Sequence, residues 1–211
     1  MTRYPRALTP SSSGRGRLLT AFAALIVSAL ALAGCTAAPS GGSPATAGAA
    51  DPQQLLAAYD LDGLDVRQVI DTLEAMPVSE RPADLLASVQ PDALVLRDAD
   101  GREAALPMPD DEVYISVAPF REQTHECHFH SLTTCLGELD DREIRVTLTT
   151  ADGDVLVDET RRTSDNGFTG FWVPRGIEAT LTVGYAGVSG SATLSTIADD
   201  DPTCITTLQL L

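Results

Sequence analysis

The chain has only three histidines and four cysteines, and five of these seven residues fall in one short stretch. His125, Cys127, His128, His130 and Cys135 lie in Thr124-His-Glu-Cys-His-Phe-His-Ser-Leu-Thr-Thr-Cys135, five soft or borderline donors within eleven residues. Thiolate and imidazole together suit Cu(I), Cu(II) or Zn(II); they do not suit Mg(II) or Ca(II). In an extended stretch His125 and Cys127 point to one face, His128 and His130 to the other. In a helical turn Cys127 and His130 share a face. Either geometry leaves some donors divergent, so a single site does not use all five. Cys135 must return through a turn over Ser131 to Thr134. Cys204, in Pro202-Thr-Cys-Ile-Thr-Thr207, joins only by tertiary contact, for example from a strand beside this segment.

Cys127, Cys135 and Cys204, with His125 and His130, are therefore the candidate metal ligands. Copper is favoured over zinc. Three thiols supply the two or three sulfurs that Cu(I) accepts, and Cu(II) heads the affinity order. The paired Cys-x-x-Cys spacing of structural zinc sites is absent, although three Cys and one His would also hold zinc. Two other uses of the thiols stay open. Cys135 and Cys204, 69 positions apart, would stabilise by about 4 kcal/mol if bonded to each other, leaving Cys127 as a bystander. Alternatively the chain is a thiol–disulfide redox protein in which Cys135 and Cys204 cycle and Cys127 resolves. A third reading is a plain β-sandwich binding or adhesion module with incidental thiols. Catalysis has little support. A Cys–His nucleophile at Cys127 is conceivable, but residues adjacent in sequence rarely make such a dyad. There is no Cys-x-x-Cys redox motif and no phosphate loop, so the expectation is not an enzyme.

The elements that carry these donors follow an export leader. All 14 cations of the 211-residue chain are Arg, against 30 acids, for a formal charge of −16. Four of them (Arg3, Arg6, Arg15, Arg17) precede an uncharged apolar run from Leu18 to Ala33. The run is slightly short for a spanning helix and reads as a signal peptide over residues 1–34. It ends in Leu32-Ala33-Gly34-Cys35, which resembles a bacterial lipobox, so Cys35 is the expected lipidation site and the first mature residue. Two acyl chains would anchor the protein stably on the extracytoplasmic face of the membrane. Residues 35–50 (CTAAPSGGSPATAGAA) carry no charge and few large apolar groups, and read as a flexible tether. Without the leader, ten Arg face thirty acids, a formal charge of −20. Such a chain repels polyanions, which excludes nucleic acid as a partner.

The body reads as α+β: a small N-terminal helical unit over 51–90, then an antiparallel β-sandwich-like domain over 91–211 that holds the metal ligands. Asp51-Pro52 is a helix start with an Asp cap and Pro in the first turn. Val66, Val69, Ile70 and Leu73 recur at helical spacing and Met76-Pro77 closes that helix. Ser79 to Val89, with Pro82 in its first turn and Leu85, Leu86 and Val89 as an apolar set, is read as a third helical segment. From Pro91 the pattern changes. Ala93 to Arg97 and Glu103 to Leu106 flank Asp98-Ala-Asp-Gly101, a hairpin signal. Alternating runs follow at Glu112–Val117, around Ile144–Leu148 and Val155–Val157, at Thr180–Tyr185 and at Ser191–Thr196; strands so short and closely spaced suggest a sandwich or barrel. Phe168, Phe171 and Trp172 are read as core, with an exposed aromatic patch as the alternative.

Four segments are also similar to a known family. His125 to Leu139 (HECHFHSLTTCLGEL), Ser116 to Phe120 (SVAPF), Asp165 to Trp172 (DNGFTGFW) and Thr203 to Gln209 (TCITTLQ) resemble the CueP family of exported copper-binding proteins, from about Leu61 to the C-terminus. The resemblance implies an envelope protein that binds copper, contributes to copper tolerance, and stores the ion or hands it on. It puts the family's cysteines at Cys127, Cys135 and Cys204 and its histidines at His125 and His130. His128 stands where the family often has an aromatic residue. An exported copper enzyme such as a superoxide dismutase is the recipient the resemblance suggests. A homodimer through the β domain is left open.

Overall fold

The computed structural model describes residues 51–211; the leader, Cys35 and the tether lie outside the described residues. Helix α1 (Pro52–Ala57) starts as its sequence dictates: Asp51 accepts a hydrogen bond from the Gln53 amide, and Pro52 occupies the first turn. Helix α2 (Val66–Ala75) opens on a reciprocal capping box between Asp65 and Gln68 and buries Val69, Ile70, Leu73 and, unexpectedly, Glu74. Among the described residues no helix is long and apolar enough to cross a membrane.

The third helical segment is not there. Val78–Glu80 makes one 3-10 turn, and the chain then enters strand β1 (Leu85–Val89). Leu85, Ala87 and Val89 point into the core while Leu86 is 44% exposed, a period of two that the apolar spacing alone did not separate from a helical one. β1 pairs antiparallel with β2 (Ala93–Asp98), which pairs with β3 (Glu103–Pro107) across the expected Asp98–Gly101 turn. α1, α2 and these three strands share one core, which Tyr114 and Leu132 complete. The helices therefore bury their apolar faces on the first sheet.

The second core lies beyond strand β4 (Glu112–Val117). It is built from β6 (Glu143–Thr150), β7 (Val155–Arg162), β9 (Glu178–Tyr185) and β10 (Val188–Ser195), ordered β10-β9-β6-β7 and antiparallel throughout. Val146, Leu148, Leu181 and Val183 are fully buried there. The edge strand β7 is mostly exposed and carries Asp158, Glu159, Arg161 and Arg162, charges that discourage edge-to-edge pairing. Together the helices and the antiparallel sheets make the α+β, sandwich-like fold expected from the sequence.

β4 belongs to both cores. Tyr114 faces the first, while Val113, Ile115 and Val117 face the second. It is flanked antiparallel by β8 (Thr169–Pro174) and parallel by the two-residue β11 (Cys204–Ile205). The aromatic residues around β8 are core, as read: Phe171 enters the second core, Trp172 packs against the first, and Phe168 is fully buried in a small third cluster with Ala118, Cys135 and Cys204.

Candidate metal centre

Three short backbone features bring the distant donors together. The two-residue strand β5 (His130–Ser131) docks on β1, with His130 opposite Val89. β11 docks on β4, with Cys204 opposite Ser116. The His128 carbonyl accepts both the Thr203 and the Cys204 amides, at 3.0 and 3.1 Å. The buried Thr203 hydroxyl locks the same seam, donating to the Val89 carbonyl and accepting the His130 amide. A turn closed by Cys135 N–H to the Ser131 carbonyl then folds Cys135 back. Beyond it the backbones of Gly137 and Gly167 pack so closely that a Cβ on Gly167, whose φ is +79°, would sit 2.7 Å from Gly137.

The sulfurs meet in this seam. Cys127 and Cys204 form a disulfide with a Cα–Cα distance of 5.7 Å, and Cys135 is free and buried. This corrects the Cys135–Cys204 pairing, both as a structural bond and as the cycling pair of a redox protein. It also removes the bystander role of Cys127. The reason is geometric: the His128 carbonyl bridge draws residue 127 beside residue 204, while the 131–135 turn leaves Cys135 as the third sulfur. Cys135 Sγ lies 3.6 Å from Cys127 Sγ and accepts the Ser131 amide at 3.4 Å.

The histidines separate by role. The donor atoms of His125, Cys127 and Cys135 lie within 4.8 Å of one another, as do those of His130, Cys135 and Cys204. Cys135 belongs to both triads. His125 is the solvent-facing member, beside an open depression of about 240 Å³ that Thr124, Leu136 and Glu138 help to line. His130 is fully buried. The Phe168 ring stands between them, its centroid 4.5 Å from that of His130 and 6.2 Å from that of His125. His128 takes no part: its Nε2 is 2.9 Å from the Asp200 carbonyl. The expected divergence of donors is thus real, and the divergent one is His128.

Glu138 shapes the outer wall. Its carboxylate accepts the amides of Arg121, Glu122 and Gln123, each at 2.9 Å, and the Gln123 and Glu122 bonds hold its pKa below the usual carboxylate value. This fixes the approach of the chain to His125.

Sequence reasoning missed the inner wall. Glu74, in the apolar stripe of α2, is buried against the site. Its Oε2 lies 3.0 Å from His130 Nε2 and accepts the Tyr114 and Ser116 hydroxyls at 3.3 and 3.4 Å; its Oε1 accepts the Asn166 amide at 3.0 Å. Burial works against charge on both partners. For His130 it is outweighed by hydrogen bonding to Cys135 and Glu74 and by the Glu74 charge, so the imidazole pKa is pushed up to about 9. For Glu74, burial is offset by the hydrogen bond to His130, then by the His130 charge and the Asn166 bond, and the carboxyl pKa falls. In the metal-free protein at neutral pH the pair is therefore ionic. An acid four residues after Ile70 in an otherwise apolar stripe was the available signal.

Three sulfurs, two of them buried and one a free thiol, together with two imidazoles form a donor set suited to a soft metal ion. No match was found among curated proteins. Among solved structures the chain is similar to one titled "Crystal Structure of S.CueP", at 36% sequence identity and a TM-score of 0.71, over 78% of this chain and all of that one. The family model described as "Periplasmic copper-binding protein CueP" matches residues 68–209, which takes in β1 to β11 and all five candidate donors. The match covers more than half of the sequence, and the chain belongs to the CueP family of periplasmic copper-binding proteins.

Proposed function

We propose that this protein is a lipid-anchored copper carrier on the extracytoplasmic face of the membrane, which takes up Cu(I) through Cys127, Cys135 and Cys204 and withholds or hands on the ion, contributing to copper tolerance. The observation that supports this most is the sharing of Cys135 by two donor triads, His125–Cys127–Cys135 and His130–Cys135–Cys204. A disulfide sulfur carries no thiolate, and the thiolate is the ligand. Loading all three sulfurs therefore requires the Cys127–Cys204 bond to be reduced, with two electrons and two protons taken from an external dithiol. Copper binding then releases thiol protons and tightens as pH rises. His125 or His130 supplies a fourth donor, and imidazole accommodates a change toward Cu(II). Anchoring rests on the lipobox-like Leu32–Cys35, and the recipient on the family resemblance, with an exported copper enzyme such as a superoxide dismutase as the candidate.

The test is competition against a Cu(I) chelator, with the protein oxidised and with it reduced. The reduced form should bind one Cu(I) more tightly than the oxidised form, and each of Cys127→Ser, Cys135→Ser and Cys204→Ser should weaken it. If all three variants hold copper as tightly as the parent, the sulfur site is wrong. If zinc binds at the same stoichiometry and copper does not, the metal assignment is wrong while the site stands.

A further inference from the structure

We propose that Glu74 is a positioning residue that commits His130 to bind copper through Nδ1, an inference that rests on the copper reading above. The two ring nitrogens of His130 face different surroundings. Nε2 is held at 3.0 Å by Glu74 Oε2, while Nδ1 is 3.9 Å from Cys204 Sγ. A ring flip would put Cδ2 where Nδ1 faces Cys204 and Cε1 where Nε2 meets Glu74, losing both contacts at once. Burial of the imidazole and packing of the Phe168 ring against it oppose that flip.

The carboxylate is itself fixed from other directions. Asn166, at the turn before β8, donates to the oxygen that His130 does not use; Tyr114 and Ser116 of β4 reach the one it does. The Arg81 guanidinium donates to the Glu74 and Met76 carbonyls, securing the end of α2. One side chain of the helical region thus sets the orientation of a ligand in the β region. A buried ion pair is weak evidence for stability, since apolar replacements are often tolerated. What this one supplies is orientation, the role that carboxylates commonly play behind metal-bound histidines.

Long-range 1H–15N spectra of the reduced protein, recorded with and without one equivalent of Cu(I), test this on the parent chain. The expected result is a large shift of His130 Nδ1 on copper addition, with Nε2 keeping its proton. Glu74→Leu should weaken Cu(I) binding by about ten- to a hundredfold, and Glu74→Gln, which keeps an acceptor, should recover most of the loss. Coordination through Nε2 overturns the proposal, and so does a Glu74→Leu variant that binds copper as tightly as the parent through an unchanged Nδ1. Failure of the parent to bind Cu(I) at all overturns the copper reading, and this inference with it. The parent spectra decide the matter even if Glu74→Leu does not fold.

Discussion

Reduction of the Cys127–Cys204 disulfide should destabilise the metal-free protein by an amount set by the loop it closes. The two cysteines are 77 positions apart. In the chain-entropy model a cross-link of that span removes about 15 cal/mol/K from the unfolded ensemble, or about 4.5 kcal/mol at 25 °C. The folded side changes little, because the β5–β1 and β11–β4 ladders and the Thr203 hydrogen bonds hold the same seam without the bond. At a urea dependence of about 2 kcal/mol/M, the midpoint should fall by roughly 2 M in a phosphine reductant. Cys127→Ser and Cys204→Ser should each reproduce the loss under oxidising conditions. Cys135→Ser should not, because its thiol lies outside the cross-link. The assay is urea unfolding followed by circular dichroism. An unchanged midpoint on reduction, or a loss for Cys135→Ser as large as that for Cys127→Ser, refutes the reasoning.

Metal-free stability should fall at alkaline pH, as His130 loses the proton that its hydrogen bonds to Cys135 and Glu74 help to hold. The folded pKa of about 9 lies above the ordinary imidazole value of 6.5, so the contribution, on the order of 3 kcal/mol, is complete below pH 6.5 and is lost as pH rises through 9; urea midpoints from pH 6 to 10 should drop, and His130→Gln should flatten the curve. Gly167→Ala should destabilise by more than about 1 kcal/mol, since it adds a positive-φ penalty to a clash with the Gly137 backbone; thermal unfolding measures it, and a neutral result would mean that the seam yields. Cys35→Ala should release the protein from membranes or leave it unprocessed, as read by fractionation; a detergent-requiring protein of mature size would sink the anchor.

The candidate donors were legible because His and Cys are scarce in this chain and five of them crowd into eleven residues. The strands around the site were legible where a face alternates, as in Val113, Ile115 and Val117. The pairing of the thiols was not. It is decided by which backbone carbonyl meets residues 203 and 204, and two-residue strands such as β5 and β11 leave no periodic trace. The strand β1 was misread because Leu85, Leu86 and Val89 fit a helical stripe as well as an alternation. Only burial of Ala87 and exposure of Leu86 separate the two. Glu74 was visible as an acid among Val69, Ile70 and Leu73, but its partners lie 40 to 92 positions away, and nothing local announces them.

β4 acts as a party wall between two rooms. Its Tyr114 side completes one core and its Val113, Ile115 and Val117 side completes the other, so neither core can melt alone without stripping one surface of this strand. Cooperativity between the helical and β regions then needs no large interface or rigid linker, because both are plastered onto the same six residues. The β4 amides should be among the last to exchange with deuterated solvent, opening only when the whole protein does.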